Sequence, residues 1–122
     1  MKLTKRMYFD AAHQLPDSPQ LTTKRCARPH GHTYALDVEI YGNLHPTAGM
    51  IVDFGLLNQV VEKYDHIDLN YVLDVPTAEN ILLMLKREFD DLLDAWDCDA
   101  RISSMRLAEG YKGEERSTWV IL

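Results

Sequence analysis

The sequence predicts an α+β domain in which two helices cover one face of a four-stranded sheet. Alternating apolar and polar residues, together with short apolar runs bounded by turn residues, predict four strands, over residues 2–12, 33–41, 100–107 and 117–122. Apolar residues that recur three and four positions apart predict two helices, over residues 54–64 and 78–93. The order strand, strand, helix, helix, strand, strand is typical of domains whose helices lie on one side of the sheet.

The first two predicted strands are separated by a polar loop. Met7 and Phe9 supply apolar positions of the first strand, and residues 14–25 then become polar and contain two prolines, which predicts a loop. In the second strand the alternation begins at Tyr34 and continues to Ile40. One face of this strand is therefore expected to be buried.

Both predicted helices begin at residues that favour the N-cap position. Asp53 precedes the first helix, which is expected to end around residues 65–66, and Thr77 precedes the second. The segment 67–73 between them has no firm period. Cys98 lies in the connection from the second helix to the third strand and is interpreted as a buried or incidental thiol.

The totals suit one domain, 1–122, and exclude several functional classes. The chain has 122 residues and a formal net charge of −6, with a pI near 5.2. General binders of nucleic acids or membrane surfaces present a basic face, so neither partner is expected. No apolar run approaches the roughly 20 residues that span a bilayer, and no secretory signal is recognisable. The two cysteines do not make a disulfide framework, so we expect a cytoplasmic protein.

Three histidines form the strongest chemical pattern in the sequence. If the second strand begins near His30, then His30 and His32 point from the same face, because side chains alternate along a strand. Gly31 between them adds no side chain, which leaves room for a metal or a closely approaching backbone. His13 lies upstream in another strand-like run. Three neutral imidazoles are a common ligand set for zinc with one position open to water or substrate, so the sequence predicts a metal site.

Spacing alone leaves other interpretations of this pattern open. A single histidine is more often a surface or hydrogen-bonded residue than a ligand. Cys26 lies four residues before His30, and zinc prefers Cys and His. A closed structural zinc site with Cys26 as the fourth ligand is therefore an alternative, and its sulfur would lie about 2.3 Å from the metal.

Charged residues near the cysteine and later in the chain are further candidates. The cations around Cys26 are Lys24, Arg25 and Arg28. They are either a solvated cluster or a seat for a phosphate group, since charge-assisted hydrogen bonds to phosphate favour Arg and Lys. Asp65 beside His66 is either a surface pair or a proton relay, because a carboxylate can orient an imidazole. Glu109 lies just past the third predicted strand, and its spacing alone indicates no more than a solvent-exposed carboxylate.

Six motifs occur in one order and together carry a resemblance. They are Phe9-Asp10-Ala11-Ala12-His13, Cys26 with His30-Gly31-His32, Ile51-Val52-Asp53-Phe54, Asp65-His66 with Leu69-Asn70, Pro76-Thr77-Ala78-Glu79-Asn80, and Glu109. This set resembles the 6-pyruvoyl-tetrahydropterin synthase family over nearly the whole chain. The three-residue gap between Cys26 and His30 is similar to the family's 6-carboxy-5,6,7,8-tetrahydropterin synthase branch, which belongs to queuosine biosynthesis. The pyruvoyl-forming branch has a longer gap there.

The resemblance implies the tunnelling fold, or T-fold. Its ββααββ subunits, each with a four-stranded antiparallel sheet and two helices on one face, join as trimers whose sheets form a barrel. Two trimers stack into a hexamer, and the active sites lie between subunits. We therefore expect a homo-oligomer, a hexamer built as a dimer of trimers. Such assembly would pair the exposed edges of the sheet.

The resemblance also implies roles for individual residues. The ligands of Zn²⁺ would be three histidines, His13, His30 and His32. Cys26 would be a catalytic acid or base and not a ligand, and Asp65 and His66 would be its partners in proton transfer.

A further group of residues would bind the pterin. Glu109 would be the anchor, because the ring N–H and the exocyclic amino group of a pterin form a donor pair that a carboxylate accepts with both oxygens. Glu79, with the backbone near Thr77 and Ala78, is similar to secondary pterin contacts of the family. Ala78 stands where many relatives have Ser or Thr, and Gly110 stands where relatives often have Thr. These two departures bear on substrate preference.

The implied reaction converts 7,8-dihydroneopterin triphosphate and water to 6-carboxy-5,6,7,8-tetrahydropterin, acetaldehyde and triphosphate. Zinc would acidify C–H bonds of the side chain as a Lewis acid, and Cys26 and His66 would move the protons. The residues proposed to seat the triphosphate are Lys24, Arg25 and Arg28. The alternatives are a 6-pyruvoyl-tetrahydropterin synthase or a relative that cleaves the side chain, and a non-catalytic domain with a structural zinc.

Overall fold

The pairing of the first two strands determines where the rest of the chain lies. The computed structural model describes residues 1–96 and 99–122. In it β1 (Lys2–His13) and β2 (His30–Tyr41) pair antiparallel along their whole length, with His13 opposite His30 at one end. Both strands agree with the sequence prediction, and β2 begins at His30, as the predicted alignment of the histidines requires.

The sheet contains five strands in the order β3–β1–β2–β4–β5. β4 (Arg101–Glu109) pairs antiparallel with β2, and β5 (Trp119–Ile121) pairs antiparallel with β4. β3 (Ile67–Asp68) pairs parallel with β1 near Ala11. The predicted α+β architecture is confirmed, although the sheet is mixed and has one strand more than the four expected. A strand of two residues is too short to show an alternating pattern, so β3 left no signal in the sequence.

Two helices connect the two halves of the sheet. α1 (Phe54–Glu62) follows Asp53, whose side chain accepts a hydrogen bond from the N–H of Gly55 at 2.8 Å. α2 (Ala78–Ala95) follows Thr77, whose side chain accepts one from the N–H of Asn80 at 3.3 Å. Both N-caps are those predicted. Among the described residues, no helix is long and apolar enough to span a membrane.

α1 ends earlier than its apolar pattern suggests. The helix stops at Glu62, whereas the expected end was around residues 65–66. The N–H of Tyr64 donates to the carbonyl of Val61, three residues back, so the last turn tightens and the chain leaves the helix. Cys98, in the connection after α2, lies outside the described residues, and its interpretation as an incidental thiol stays a prediction.

Both helices pack against one face of the sheet. The buried residues that the long strands turn toward them include Met7, Phe9, Tyr34, Leu36, Val38, Met105 and Leu107. The helices contribute Leu57, Val60, Val61, Ile81, Leu85 and Phe89. Because side chains alternate along a strand, this register also places the imidazoles of His13, His30 and His32 on the helix-covered face.

The opposite face of the sheet carries a charged network. Asp37 in β2 accepts two hydrogen bonds from Arg6, at 2.6 and 2.8 Å, and one from Arg106 at 2.8 Å. Glu114 forms ion pairs with both arginines. The guanidinium of Arg106 also lies 4.0 Å from the ring centroid of Trp119. The network therefore ties the connection between β4 and β5 to β1 and β2.

The pH dependence of stability tests the role of Asp37. Burial alone would raise its pKa, but the hydrogen bonds and charges of Arg6 and Arg106 outweigh burial and lower the pKa below its usual value. Such a carboxyl stabilises the fold above its unfolded pKa of about 3.9 and loses that contribution as the pH falls through the lower folded value. We expect Asp37→Asn to reduce the free energy of unfolding by about 2 kcal/mol at pH 7. Urea unfolding followed by circular dichroism measures this loss.

The difference between Asp37→Asn and the wild type should shrink as the pH falls from about 3.9 toward 2. Asp17→Asn is the matched control, because Asp17 forms an exposed ion pair with Lys24 and should change stability very little. A loss of equal size at pH 7 and at the lowest pH would contradict the assigned role of the carboxylate.

Candidate metal centre and active site

The register of β1 and β2 brings three histidines to one end of the sheet. His13 lies opposite His30, and Ala11 lies opposite His32. One ligand nitrogen from each of the three imidazoles lies within 4.8 Å of the other two. His13 is buried, and the other two are partly exposed. This cluster could hold a metal ion, as the sequence pattern predicted.

Hydrogen bonds to backbone carbonyls orient two of the imidazoles. The Nδ1–H of His13 donates to the carbonyl oxygen of Pro76 at 2.7 Å, and the Nδ1–H of His30 donates to that of Arg28 at 2.6 Å. In a neutral imidazole the other nitrogen, Nε2, then carries a lone pair. The two Nε2 atoms lie 2.9 Å apart. Two lone pairs at this distance repel each other unless a proton or a cation lies between them.

His32 completes the fit of the cluster to a metal. Its Nε2 is buried and has no hydrogen-bond partner within the described residues. Burial lowers the pKa of His32, Glu109 opposes this effect, and His13 and His30 lower the pKa further. The imidazole is therefore neutral at pH 7, the form that binds metals. Nitrogens bound to a tetrahedral zinc lie about 3.3 Å apart. The Nε2 atoms of His13 and His30 are 2.9 Å apart and all three ligand nitrogens lie within 4.8 Å of one another, so the residues fit such an ion.

Glu109 lies between this centre and a cavity. Its Oε1 is 3.4 Å from the Nε2 of His13 and 3.8 Å from the Nε2 of His32. The carboxylate also borders a cavity of about 350 Å³, whose other walls include Thr77 and Glu79 at the start of α2. The structure thus brings together all three residues that the resemblance implies for pterin binding, beside the histidine cluster.

Tyr34 is a residue of the site that sequence analysis identified only as part of the core. Its hydroxyl lies 3.4 Å from Nδ1 of His13 and 3.5 Å from Oε1 of Glu109. Burial raises the pKa of Tyr34, and the charge of Glu109 raises it further. The hydroxyl therefore stays protonated at neutral pH. The only sequence feature that points to a role for Tyr34 in the site is its position two residues after His32, on the same face of the strand.

Asp65 and His66 form the expected carboxylate–imidazole pair. The Nδ1 of His66 lies 3.0 Å from a carboxylate oxygen of Asp65. Asp10 of β1 fixes the pair, because its N–H donates to Asp65 at 2.9 Å and its carbonyl accepts from the N–H of His66 at 2.6 Å. These bonds hold His66 at a φ of 61°, which is uncommon outside glycine. The hydrogen bond from the backbone of Asp10, followed by the contact with His66, lowers the pKa of Asp65.

His66 borders a second and larger cavity. This cavity has a volume of about 600 Å³, and its lining includes His66, His32 and Gly31. Gly31 faces away from the two histidines beside it, and a Cβ at this position would meet the carbonyl oxygen of Ala11 at an ordinary 3.6 Å. The expectation that Gly31 leaves room for the metal or a close backbone is therefore wrong. The glycine borders the cavity on the opposite face instead.

Cys26 lies apart from the other predicted catalytic residues. It is a partly exposed free thiol in a 3-10 helix, Lys24–Ala27. Its sulfur does not belong to the histidine group, so the arrangement is that of an open centre and not of a closed Cys-His site. Within the described chain, no hydrogen bond joins Cys26 to Asp65 or His66.

The basic cluster around the cysteine is only partly free. Lys24 forms an ion pair with Asp17. In the parts of the chain that the structure describes, the guanidinium groups of Arg25 and Arg28 have no ion-pair partner. These two arginines are consequently the members of the cluster that remain available to an anion.

Asn70 is a supporting residue to which sequence analysis assigned no role. Its side chain accepts a hydrogen bond from the N–H of Gln14 at 2.8 Å and donates one to the carbonyl of Gln14 at 3.0 Å. Gln14 directly follows His13, so this clamp holds the end of β1 and the imidazole on it. The only sequence feature that pointed to Asn70 was its membership of one of the six motifs.

Comparisons with known proteins place the chain in a family. The model of the family described as 6-pyruvoyl tetrahydropterin synthase matches residues 2–115. The chain belongs to the 6-pyruvoyl tetrahydropterin synthase family. A protein of Archaeoglobus fulgidus, named provisionally as a 6-carboxy-5,6,7,8-tetrahydropterin synthase, is 39% identical over 84 residues, which cover 66% of this chain and 68% of that protein. The 6-carboxy-5,6,7,8-tetrahydropterin synthase of Rickettsia felis is 31% identical over 113 residues, with coverages of 72% and 79%.

Two further similar proteins extend the comparison. The dihydroneopterin monophosphate aldolase of Pyrococcus furiosus is 32% identical over 109 residues, which cover 86% of each protein. The solved structure of the Caenorhabditis elegans 6-pyruvoyl tetrahydropterin synthase matches with a TM-score of 0.66 at 19% identity, covering 98% of this chain and 94% of that one. The T-fold implied by the resemblance is confirmed. The similarity to these relatives supports a pterin-processing enzyme.

Metal binding can be tested one histidine at a time. We expect the wild-type chain to bind zinc, and His32→Ala to weaken binding by at least about 100-fold, because changes even in residues behind the ligands cost 10- to 100-fold. Competition with a fluorescent zinc chelator measures the affinity. His45→Ala is the matched control, since His45 caps a turn through the N–H groups of Thr47 and Ala48. Loss of zinc from Cys26→Ala would contradict the open centre.

Proposed function

We propose that this protein is a zinc-dependent lyase that converts 7,8-dihydroneopterin triphosphate and water to 6-carboxy-5,6,7,8-tetrahydropterin, acetaldehyde and triphosphate. The observation that supports this proposal most is the position of the three-histidine cluster beside the cavity that ends at Glu109. The names of the relatives from Archaeoglobus fulgidus and Rickettsia felis point to the same reaction. The product would enter queuosine biosynthesis in the cytoplasm.

The cavity at the start of α2 would hold the pterin ring. Glu109 would accept hydrogen bonds from the ring N–H and the exocyclic amino group with its two oxygens. The first N–H groups of a helix have no partner within the helix, so those of Ala78 and Glu79 can donate to acceptors on the ring. Thr77 keeps this end of α2 in place through its bond to Asn80. The pterin ring would then lie beside the histidine cluster.

The histidines would hold the metal in a fixed orientation. Zinc bound there would supply Lewis-acid polarisation of the side-chain oxygens, which makes the neighbouring C–H bonds more acidic. The carbonyls of Pro76 and Arg28 keep Nε2 of His13 and His30 free to bind it. Because Glu109 lies within 4 Å of this centre, a pterin bound by this carboxylate would lie beside the metal site.

Cys26 and His66 would move the protons of the reaction. Asp65 holds the Nδ1 side of His66, at 3.0 Å, so Nε2 stays free to exchange a proton. Cys26 would take or return protons on the other side of the substrate. Since Cys26 does not contact this pair within one described chain, we propose that a neighbouring copy in a homohexamer completes the site. Arg25 and Arg28 would bind the triphosphate.

A second candidate is cleavage of the side chain without formation of a carboxylate. The relative from Pyrococcus furiosus, an aldolase named for dihydroneopterin monophosphate, covers more of this chain than those from Archaeoglobus fulgidus and Rickettsia felis do. The departures at Ala78 and Gly110 lie beside the proposed pterin contacts and are compatible with a different substrate. A 6-pyruvoyl-tetrahydropterin synthase is the remaining enzymatic alternative.

A product assay separates these candidates. Zinc-loaded protein supplied with 7,8-dihydroneopterin triphosphate is expected to release acetaldehyde and triphosphate in equal amounts. Cys26→Ala should reduce the rate by a factor of about 100 to 10,000, the usual contribution of a proton-transferring group, while zinc binding stays unchanged. Triphosphate without acetaldehyde would indicate the pyruvoyl product. Cleavage of dihydroneopterin monophosphate alone would indicate the aldolase, and no turnover of either substrate would refute the proposal.

Mixing two inactive variants tests whether the site is shared between chains. Cys26→Ala and His66→Ala are each expected to be inactive alone. Co-expressed in equal amounts, they should recover about a quarter of the wild-type activity, since each site takes one residue from each of two randomly chosen copies. A Cys26→Ala, His66→Ala double variant mixed with wild type is the control for assembly. No recovery in a mixed oligomer would place both residues of a site in one chain.

A further inference from the structure

Tyr34 joins the histidine cluster to the cavity through a single hydroxyl group. Its Oη lies 3.4 Å from Nδ1 of His13 and 3.5 Å from Oε1 of Glu109. The Nδ1–H of His13 already donates to Pro76, at the shorter distance of 2.7 Å. The hydrogen of the Tyr34 hydroxyl is therefore free to point toward Glu109. Hydrogen bonds of this kind are often long in the absence of substrate and shorten when it binds.

The ring that carries this hydroxyl is held firmly. Tyr34 is 0% exposed. It stacks on Phe9 of the neighbouring strand, with ring centroids 4.9 Å apart and planes 11° apart. Its other cross-strand partner is Glu109 itself. By contrast, the side chain of Glu109 is 35% exposed. Between these two partners, the tyrosine is fixed and the carboxylate is the one that can turn.

Glu109 has two competing directions in which to turn. Its Oε1 lies 3.4 and 3.8 Å from the metal-facing nitrogens of His13 and His32, near the spacing of two ligands on one zinc, about 3.3 Å. The other direction is the cavity that it borders with Thr77 and Glu79. A carboxylate bound to the metal would close the open coordination position and would no longer be available to a ligand in the cavity.

We propose that Tyr34 is a positioning residue whose hydroxyl donates to Oε1 of Glu109, the carboxylate oxygen beside the histidines, and so holds this oxygen back from the metal and keeps the carboxylate available to a ligand in the cavity. The identity of the ligand in the cavity, a pterin, rests on the proposed function. The proposed restraint on the Glu109 carboxylate relative to the metal does not depend on the proposed function. Loss of the hydroxyl therefore has two separate consequences, one for the pterin and one for zinc.

Two affinities measured on Tyr34→Phe test the proposal. The affinity of the zinc-loaded protein for 7,8-dihydroneopterin, followed by fluorescence, should fall about five- to tenfold, because a hydrogen bond to a charged group is lost. In a Glu109→Gln background the same substitution should change this affinity less than about twofold, since contacting residues are not additive. The affinity for zinc in the absence of pterin should rise at least about threefold in Tyr34→Phe, because a carboxylate ligand is gained. It should not rise in the double variant.

Tyr111→Phe is the matched control. Its hydroxyl accepts a hydrogen bond from Arg6 at 2.8 Å, away from the histidines, so neither affinity should change. Tyr34→Phe with unchanged or weaker zinc binding would overturn the proposal, as would an equal loss of pterin affinity in both backgrounds. If the wild type binds no 7,8-dihydroneopterin, the proposed function fails, and zinc affinity alone then decides whether Tyr34 restrains Glu109.

Discussion

The antiparallel register of β1 and β2 is the constraint on which the rest of the molecule depends. It sets His13 opposite His30, and by the same alternation it turns Met7 and Leu36 toward the helices. A slip of one residue would expose the apolar side chains and move the imidazoles to the other face. The free energy gained by burying the core therefore also fixes the sheet face and the strand end at which the histidines meet.

The start of α2 adds a second constraint, because it serves the metal centre and the cavity together. The carbonyl of Pro76 orients His13, Thr77 caps the helix, and the next two residues line the cavity beside Glu109. Moving this segment would disturb the imidazole and the proposed pterin contacts at once. The coupling gives a physical reason for a short motif at this place, independent of any resemblance.

The sequence predicted what depends on local periodicity and failed where contacts join distant residues. The alternation in β2 and the caps Asp53 and Thr77 are local signals, and the structure confirms both caps. The contact of Tyr34 with Glu109 spans 75 residues and depends on β4 pairing with β2, which alternation cannot reveal. Periodicity predicted that Tyr34 is buried, but it carries no information about the group that its hydroxyl meets.

The distribution of charge supports a site shared between chains. Cys26 lies on a short helix beside Arg25 and Arg28, which have no ion-pair partner among the residues that the structure describes, whereas His66 lies beside the carboxylates of Asp65 and Asp10. Within one chain these two regions make no hydrogen bond among the described residues. Surfaces of opposite charge attract each other when copies associate, and a neighbouring copy could bring the thiol to the imidazole. In the proposed reaction a single chain would then bind zinc and pterin, whereas proton transfer would require the assembly.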